Sequence, residues 1–419
     1  MMVLCGECNH EYTYYNWCKP CHSKHFKNDF DKWTSGNETI DKLIQNAQLN
    51  ANDCWKVIEW IPYNRFKDIR EIAKGGFGTI YYAKWIDGRI EKWDIENQRW
   101  KRWGQREVVL KKVDNFANLN EEFLNEMTIH LKTMDIVNSS IRIYGITKDP
   151  ETNKYIMILE YMRAGNLRDY LKNHFNNINW NCKLCHLSDL ASSFNKFHTL
   201  DILHGDFHSG NILSFNFKFN SLYTSDFGLK VLCGEEYTKA ADVYSFGIVV
   251  YEFITGFAPY YDVPHDRDLA RQICNGLRPK IPFHTPKLIT RIIMRCWDAR
   301  VTHRPTFEEL HKELNKCHDD YRENYFKNNN EITIQIDNAV KLFKNKSKRG
   351  LWRLIRDKST TPLNYQIHPE AFFSSRLLHY SNLPEPKNEE IFEKKLEEIT
   401  KSVSAFSVVV SKPINMHVP

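Results

Sequence analysis

The sequence predicts an α+β protein with two lobes, a small β-rich lobe followed by a large helical one. Residues 66–160 read as short apolar strands and turns, interrupted by one helical stretch at 121–133. From Asn166 to about Cys317 the apolar residues recur mostly at helical spacing. A cysteine-rich segment and a helical segment precede these lobes, so the expected fold includes a small N-terminal extension.

The bulk composition is that of a soluble globular protein. Of 419 residues, 42% are hydrophobic and 26% are charged, and the net charge of +6 does not suggest a nucleic-acid partner. Apolar runs fall short of the roughly 20 residues that a membrane span requires. The first residues lack the basic region and apolar core of a secretory signal. Eleven irregularly spaced cysteines do not suggest a disulfide framework, so we expect a cytoplasmic protein.

Residues 1–25 contain two Cys-x2-Cys knuckles, formed by Cys5, Cys8, Cys18 and Cys21. Four thiolates at this spacing suit a tetrahedral structural Zn²⁺ site. A segment too short to build its own core is stabilised by such a metal. The alternative is a loop of reduced thiols without metal, and His10 and His22 are candidate substitute ligands. Residues 26–63 predict a helical linker.

A glycine-rich loop lies between the first two strands of the small lobe. It reads Gly75-Gly76-Phe77-Gly78, and the strand that leaves it begins near Ile80. Without side chains, the backbone N–H groups of such a loop can approach phosphate oxygens. The loop alone is a weak indication, because glycines also form ordinary hairpins.

A lysine lies in the middle of the third apolar strand, Val108-Val109-Leu110-Lys111. A buried lysine is unfavourable unless it meets an anion. The candidates are a nucleotide phosphate and Glu126, on the helix that follows. The alternative is an edge-strand lysine that extends its amine to solvent.

The strongest indication is His204-x-Asp206-x4-Asn211, followed by Asp226-Phe227-Gly228. Phosphoryl transfer requires positioning and charge neutralisation more than covalent chemistry. Asp206 could orient a hydroxyl and take its proton, and Asn211 and Asp226 could hold Mg²⁺ through oxygen atoms. Turn formation could explain any one of these residues, but not all of them in this order.

Together these motifs make residues from about Phe66 to Cys317 resemble a protein kinase domain, closest to the tyrosine-kinase-like group. The resemblance implies a domain at 64–318, with lobes at 64–160 and 166–318, and ATP and Mg²⁺ as cofactors. It also implies roles for individual side chains. Leu159 would be the gatekeeper, Glu160 and Met162 would contact adenine from the hinge, and Asp242 would anchor the catalytic loop.

Four departures from the family pattern stand out. Ala73 replaces the first loop glycine, and Gly205 replaces the arginine that pairs with a phosphorylated activation loop. His208 stands where many kinases have lysine. The fourth departure is the largest, because the chain runs from Gly228 almost directly to the buried helix and lacks both the activation segment and its Ala-Pro-Glu motif. Arg304 would therefore lose its usual glutamate partner.

Two explanations fit the short connection. If the protein lacks the segment, a nucleotide-binding pseudokinase or scaffold is favoured. If an exon is missing from the sequence, the protein is an ordinary kinase that phosphorylates a protein hydroxyl, serine or threonine rather than tyrosine. The complete set of phosphate and metal residues favours the second explanation.

The remaining features carry weaker expectations. Residues 319–419 predict a polar, largely disordered tail. Within it, Lys341–Lys358 is strongly basic and could bind an acidic partner, although a solvated helix is the simpler reading. Cys182 and Cys185 lie in a helical stretch without a second pair and predict buried thiols rather than a metal site.

Overall fold

The computed structural model describes residues 4–75, 78–112, 121–134, 139–218, 221–227, 237–323, 330–348, 366–373 and 382–410. The chain divides into two compact units, and the division falls between Met162 and Arg163. Strands predominate before that point and helices after it. The predicted α+β class is therefore confirmed.

The first unit is built on a mixed β-sheet with the strand order β1-β7-β8-β6-β3-β2. Its strands are β1 Glu59–Trp60, β2 Phe66–Gly75, β3 Gly78–Trp85, β6 Arg106–Lys112, β7 Ile143–Lys148 and β8 Tyr155–Glu160. One face packs into a core that includes Trp85, Leu110 and Ile158, each at most 1% exposed. Helix α3, Glu121–Thr133, follows β6 in the chain.

The N-terminal extension packs against an insertion in the same unit. Helices α1 (Lys19–Lys27) and α2 (Glu38–Asn50) form the extension, and the insertion is a hairpin of β4 (Ile90–Asp94) and β5 (Arg99–Arg102). The ring of Trp100 stacks on Phe26 at 4.3 Å and on Trp17 at 6.2 Å. Residues 26–63, expected as a helical linker, thus contain α2 and the strand β1 and contribute to a shared aromatic core.

The second unit is mainly helical. Its elements are α4 Leu167–His174, α5 Trp180–Thr199, β9 Ile212–Leu213, β10 Tyr223–Thr224, α6 Lys239–Thr255, α7 Arg267–Cys274, α8 Lys287–Cys296, α9 Phe307–Glu323, α10 Glu331–Lys348 and α11 Glu390–Val410. Helix α6 is apolar on nearly all sides, which is typical of a helix at the centre of a domain. Phe246, Val249 and Phe253 of this helix are fully buried.

Where the structure describes the tail, it contains helices, whereas the sequence predicts a largely disordered segment. Helix α10 buries Ile332, Ile336 and Ala339, which recur at a spacing of three to four residues, and α11 packs against α8. The tail therefore contributes apolar surface to the second unit. The basic stretch Lys341–Lys358 begins inside α10, and its residues after 348 lie outside the described part of the chain.

Two further findings concern features raised by the sequence. Cys182 and Cys185 lie in α5 as expected, but both are only half-buried, so they are not core thiols. The sulfur of Cys182 lies 3.4 Å from the carbonyl oxygen of Lys218, and that of Cys185 lies 3.5 Å from the carboxylate of Asp189.

Among the described helices, none is long and apolar enough to cross a membrane.

Candidate active site

The lysine of strand β6 forms an ion pair inside the first unit. Lys111 Nζ donates to Glu126 Oε1 over 2.6 Å, and the two residues are only 6% and 4% exposed. Strand alternation turns Lys111 towards the side on which α3 lies, and Glu126 occupies the second turn of that helix. A buried, paired amine is incompatible with a lysine that extends to solvent. The geometry therefore favours the phosphate-binding interpretation of Lys111.

The glycine-rich loop is a tight connection between β2 and β3. Gly75 ends β2 and pairs with Gly78, the first residue of β3, whereas Gly76 and Phe77 lie outside the described residues. Ile80 is the direct cross-strand partner of Lys111. The loop therefore ends at Gly78, two residues before the cross-strand partner of Lys111.

The end of strand β8 is fixed by polar contacts of Glu160. Its carboxylate accepts hydrogen bonds from Arg106 at 2.6 Å and from the Tyr144 hydroxyl at 2.9 Å, and its backbone N–H donates to the Arg142 carbonyl at 2.9 Å. Burial, together with the nearby Glu160 charge, raises the pKa of Tyr144. Leu159 and Met162 on either side are only 3% and 4% exposed. Because the Glu160 carboxylate is occupied, any adenine contact here would use the main chain.

The catalytic loop of the second unit is anchored by Asp242, a fully buried residue of α6. Its carboxylate accepts from the backbone N–H groups of His204 (3.0 Å) and Gly205 (3.3 Å). It also accepts from the Tyr237 hydroxyl at 2.9 Å, and His198 Nε2 lies 3.0 Å away. The sequence pointed to Asp242, but the contributions of His198 and Tyr237 were not foreseen.

The proposed base and metal ligands lie on two turns that are bonded to each other. Asn211 Nδ2 donates to the backbone oxygen of Asp206 at 2.9 Å, which leaves its amide oxygen as the atom suited to a metal. Ser225 donates through its N–H to the Asn211 carbonyl at 2.9 Å. The hydroxyl of Ser225 lies 3.3 Å from Asp226 Oδ2. Ser225, which the sequence did not single out, therefore links Asn211 to Asp226.

His208 is a neutral imidazole at physiological pH. Burial and the nearby Arg168 guanidinium lower its pKa to about 4. Its Nδ1 accepts a hydrogen bond from the backbone N–H of Gly210 at 3.0 Å, and Nε2 lies 3.8 Å from Asp206 Oδ2. The side chain thus shapes the loop but adds no positive charge beside Asp206.

Two departures from the family pattern have structural compensations. Gly205 has a φ of 74°, which is a favourable conformation for glycine and a strained one for arginine. Arg304 was expected to lose its partner, but it donates to the carbonyl oxygens of Asp298 and Ala240, both at 2.8 Å. It also lies over the ring of Tyr244, 5.1 Å from its centroid. The expected cost of an unpaired Arg304 is therefore avoided.

The four N-terminal cysteines converge as the sequence predicts. Their sulfur atoms all lie within 4.8 Å of one another, and Cys8 and Cys18 are 3.5 Å apart. A hydrogen bond from the backbone of His10 lowers the pKa of Cys8 to about 6, whereas burial raises the pKa of Cys18 to about 11. His22 is engaged elsewhere, because its ring nitrogens lie near the Cys18 carbonyl and the Trp93 N–H. The cluster thus consists of four cysteines, without His10 or His22.

The fold and these motifs define a protein kinase domain. The sequence model of the family described as protein tyrosine and serine/threonine kinase matches residues 66–236 and 230–314. The chain belongs to this family. The two matched pieces overlap at 230–236.

Curated relatives carry corresponding names. The chain is 30% identical over 322 residues to a probable serine/threonine-protein kinase, roco5, of Dictyostelium discoideum, which covers 67% of this chain and 11% of that protein. It is 27% identical over 274 residues to the dual specificity protein kinase pyk3 of the same organism, covering 60% of this chain and 20% of that protein. The chain therefore spans about a tenth to a fifth of the length of these relatives.

Proposed function

We propose that this chain transfers the γ-phosphoryl group of ATP to a hydroxyl of a protein, on serine or threonine rather than tyrosine. The observation that carries the proposal is the buried Lys111–Glu126 ion pair, because a 2.6 Å contact at this depth presents a fixed ammonium group. Membership of the kinase family and the printed names of the relatives support it.

Each side chain has a distinct role in the proposed reaction. Asp206 accepts the hydroxyl proton, and Lys111 binds the phosphate chain while Glu126 holds its amine in place. The backbone of residues 75–78 contacts the phosphates, and the main chain at Glu160 and Met162 binds adenine beside Ile80. Mg²⁺ neutralises charge on the phosphates when it is bound. The amide oxygen of Asn211 and the carboxylate of Asp226 are the oxygen donors that this ion prefers.

A pseudokinase is the second candidate, favoured by one feature of the sequence. The chain has no Ala-Pro-Glu motif, and few residues connect Asp226-Phe227-Gly228 to the start of α6 at Lys239. A protein of this kind would bind nucleotide and act through its partners. A rise in melting temperature with Mg²⁺ and ATP, without phosphate transfer to any acceptor, would select this candidate.

The test of the kinase proposal uses labelled ATP, a mixture of protein acceptors and phosphoamino-acid analysis. Replacement of the base in Asp206→Asn is expected to reduce transfer by about 100-fold or more. Asp226→Asn should abolish the Mg²⁺-dependent thermal shift. The matched control is Asp201→Asn, since Asp201 is an aspartate of the same unit whose side chain is 87% exposed. Equal transfer by Asp206→Asn and the wild type would refute the assignment.

We further propose that Cys5, Cys8, Cys18 and Cys21 hold a structural Zn²⁺ ion. A set of four sulfur atoms within 4.8 Å of one another fits tetrahedral coordination, and the low pKa of Cys8 favours the thiolate form that binds metal. Elemental analysis of the purified chain should find about one zinc per molecule. Cys18→Ser should lose the metal and Cys182→Ser should retain it.

A further inference from the structure

A segment of the tail lies against the second unit close to the catalytic loop. Residues 366–373 lie between α10 and α11 in the chain and contain a turn at 369–370. The N–H of His368 donates to the Tyr261 carbonyl at 2.8 Å, and the N–H of His265 donates to the Glu370 carbonyl at 2.9 Å. Main-chain hydrogen bonds of this kind are typical of a surface that receives a peptide.

The last residue of this segment, Phe373, contacts the surface through its aromatic ring. Its ring lies 5.2 Å from the guanidinium of Arg168 and 4.8 Å from the ring of His265, at an interplanar angle of 85°. Arg168 Nη1 also donates to the Phe373 carbonyl at 2.6 Å. The neighbouring Phe372 contributes its carbonyl to His265 Nδ1 at 2.8 Å, while the residue itself is 48% exposed. Phe373 therefore contacts this surface through both its ring and its carbonyl group.

A short polar relay joins this surface to the catalytic loop. Arg168 forms an ion pair with Glu252 of α6 at 3.1 Å, and the side chain of Glu252 is only 1% exposed. The hydroxyl of Ser209 donates to the same carboxylate. Ser209 lies three residues after Asp206. A peptide held by Arg168 is thus two side-chain contacts away from the loop that carries the proposed base.

We propose that the surface formed by Arg168, Tyr261 and His265 is a binding site for a peptide with an aromatic anchor, and that residues 366–373 are its intramolecular occupant. The inference rests on the proposed function in one respect, because it implies that the tail competes with a protein substrate beside the catalytic loop. A segment of the same chain competes at an effective concentration that a separate peptide must match before it binds. An external substrate must therefore displace the tail before it binds.

The first test measures docking without any reference to activity. Hydrogen–deuterium exchange of the intact wild-type chain should show protection of amides in 366–373. The double variant Ala371→Asp/Phe373→Ala places a charge at a residue that is 9% exposed and removes the anchor, so it should expose this segment and the amide of His265. The matched control, Ile367→Ala, changes a residue of the same segment that is 38% exposed, and it should exchange like the wild type. Exchange of 366–373 at the rate of an unstructured peptide in the wild type would overturn the proposal.

The second test asks whether the vacated surface binds peptide. A synthetic peptide that spans residues 364–375 should bind the double variant at least tenfold more tightly than the wild type. The same peptide with alanine in place of Phe373 should bind weakly to both. Equal affinity of the peptide for the wild type and the variant would show that the tail occupies no peptide site, and would overturn the proposal.

Kinetic measurements of phosphate transfer distinguish failure of this inference from failure of the proposed kinase function. If the chain is active, the double variant should have a lower KM for a peptide acceptor and an unchanged kcat, because only substrate binding competes with the tail. An unchanged KM together with tail release would refute competition. If no variant transfers phosphate, the proposed function fails, while exchange and peptide binding still decide whether the surface and its occupant exist.

Discussion

Single residues explain how this chain accommodates departures from its family. Gly205 adopts a left-handed φ of 74° at a buried position, where its N–H donates to Asp242. His208 is neutral because it is buried beside Arg168. Both substitutions remove positive charge from the catalytic loop. Control by a phosphate that binds the family arginine is therefore not expected in this chain.

Replacement of Gly205 tests the role of its backbone conformation. Gly205→Ala should lower the free energy of unfolding by about 1 kcal/mol, because a side chain is unfavourable at this φ. Gly205→Arg should lower it further, since the position is buried. Gly104→Ala is the reference for the effect of the backbone conformation alone. Gly104 has a similar φ of 78°, and no atom lies within 4 Å of an added Cβ. Urea denaturation of Gly205→Arg at wild-type stability would contradict this account.

Asp149 predicts a pH dependence of stability. Burial alone would raise its pKa, but hydrogen bonds from Lys112, from Thr152 and from backbone N–H groups lower it to about 2. A lowered carboxylate pKa stabilises the folded state above the ordinary value near 4, and this contribution is lost as the pH falls towards 2. The shift corresponds to about 2 kcal/mol at neutral pH.

Asp149→Asn should therefore destabilise the protein at pH 7 by about that amount and have little effect near pH 2. Thermal melts across this range provide the measurement. Asp169→Asn, at an exposed N-terminal turn of α4, serves as the comparison. A constant difference between Asp149→Asn and the wild type at all pH values would contradict the assignment.

At the scale of elements, sequence patterns predicted the strands, helices and loops that pack against residues nearby in the chain. The Lys111 strand and the Glu126 helix follow from apolar periodicity, whereas the loop from His204 to Asn211 was recognised by its resemblance to a kinase motif. The sequence did not predict the β4–β5 hairpin, because both strands are short and most of their residues are polar. The hairpin packs against Trp17 and Phe26, which lie more than 60 residues before it in the chain. Packing between residues so far apart in the sequence produces no recognisable pattern within either segment.

The aromatic contact between this hairpin and the extension can be tested directly. Trp100→Ala should destabilise the first unit by about 3 kcal/mol, because it removes stacking on both Phe26 and Trp17. Trp103→Ala is the matched control, since Trp103 lies just beyond the hairpin and is 58% exposed. Its loss should lower stability by about 1 kcal/mol or less. Equal thermal shifts in the two variants would exclude a structural role for the Trp100 stack.

The whole molecule consists of two units, each with its own core. The cysteine cluster, the hairpin and the sheet belong to the first unit, whereas the catalytic loop, α10 and α11 belong to the second. The tail helices were missed because their sequence is polar overall. The spacing of Ile332, Ile336 and Ala339 carried the signal that could have revealed α10.

Because the cysteine cluster belongs to the first unit, removal of the proposed Zn²⁺ should affect hydrogen exchange in that unit alone. A strong chelator should increase hydrogen exchange in α1, α2 and the hairpin, because these elements surround the cysteine cluster. Exchange in α6 and α9 of the second unit should stay at the level of the untreated protein. Re-addition of Zn²⁺ should reverse the change. An equal increase in both units would show that the cluster does not act locally.

The contacts of Arg304 have a consequence for the tolerance of the large unit to sequence change. Its guanidinium is satisfied by two main-chain carbonyl groups, which any amino-acid sequence supplies. The position of this side chain therefore does not depend on an acidic residue, and substitutions at residues 240 and 298 that preserve the backbone would leave both hydrogen bonds in place.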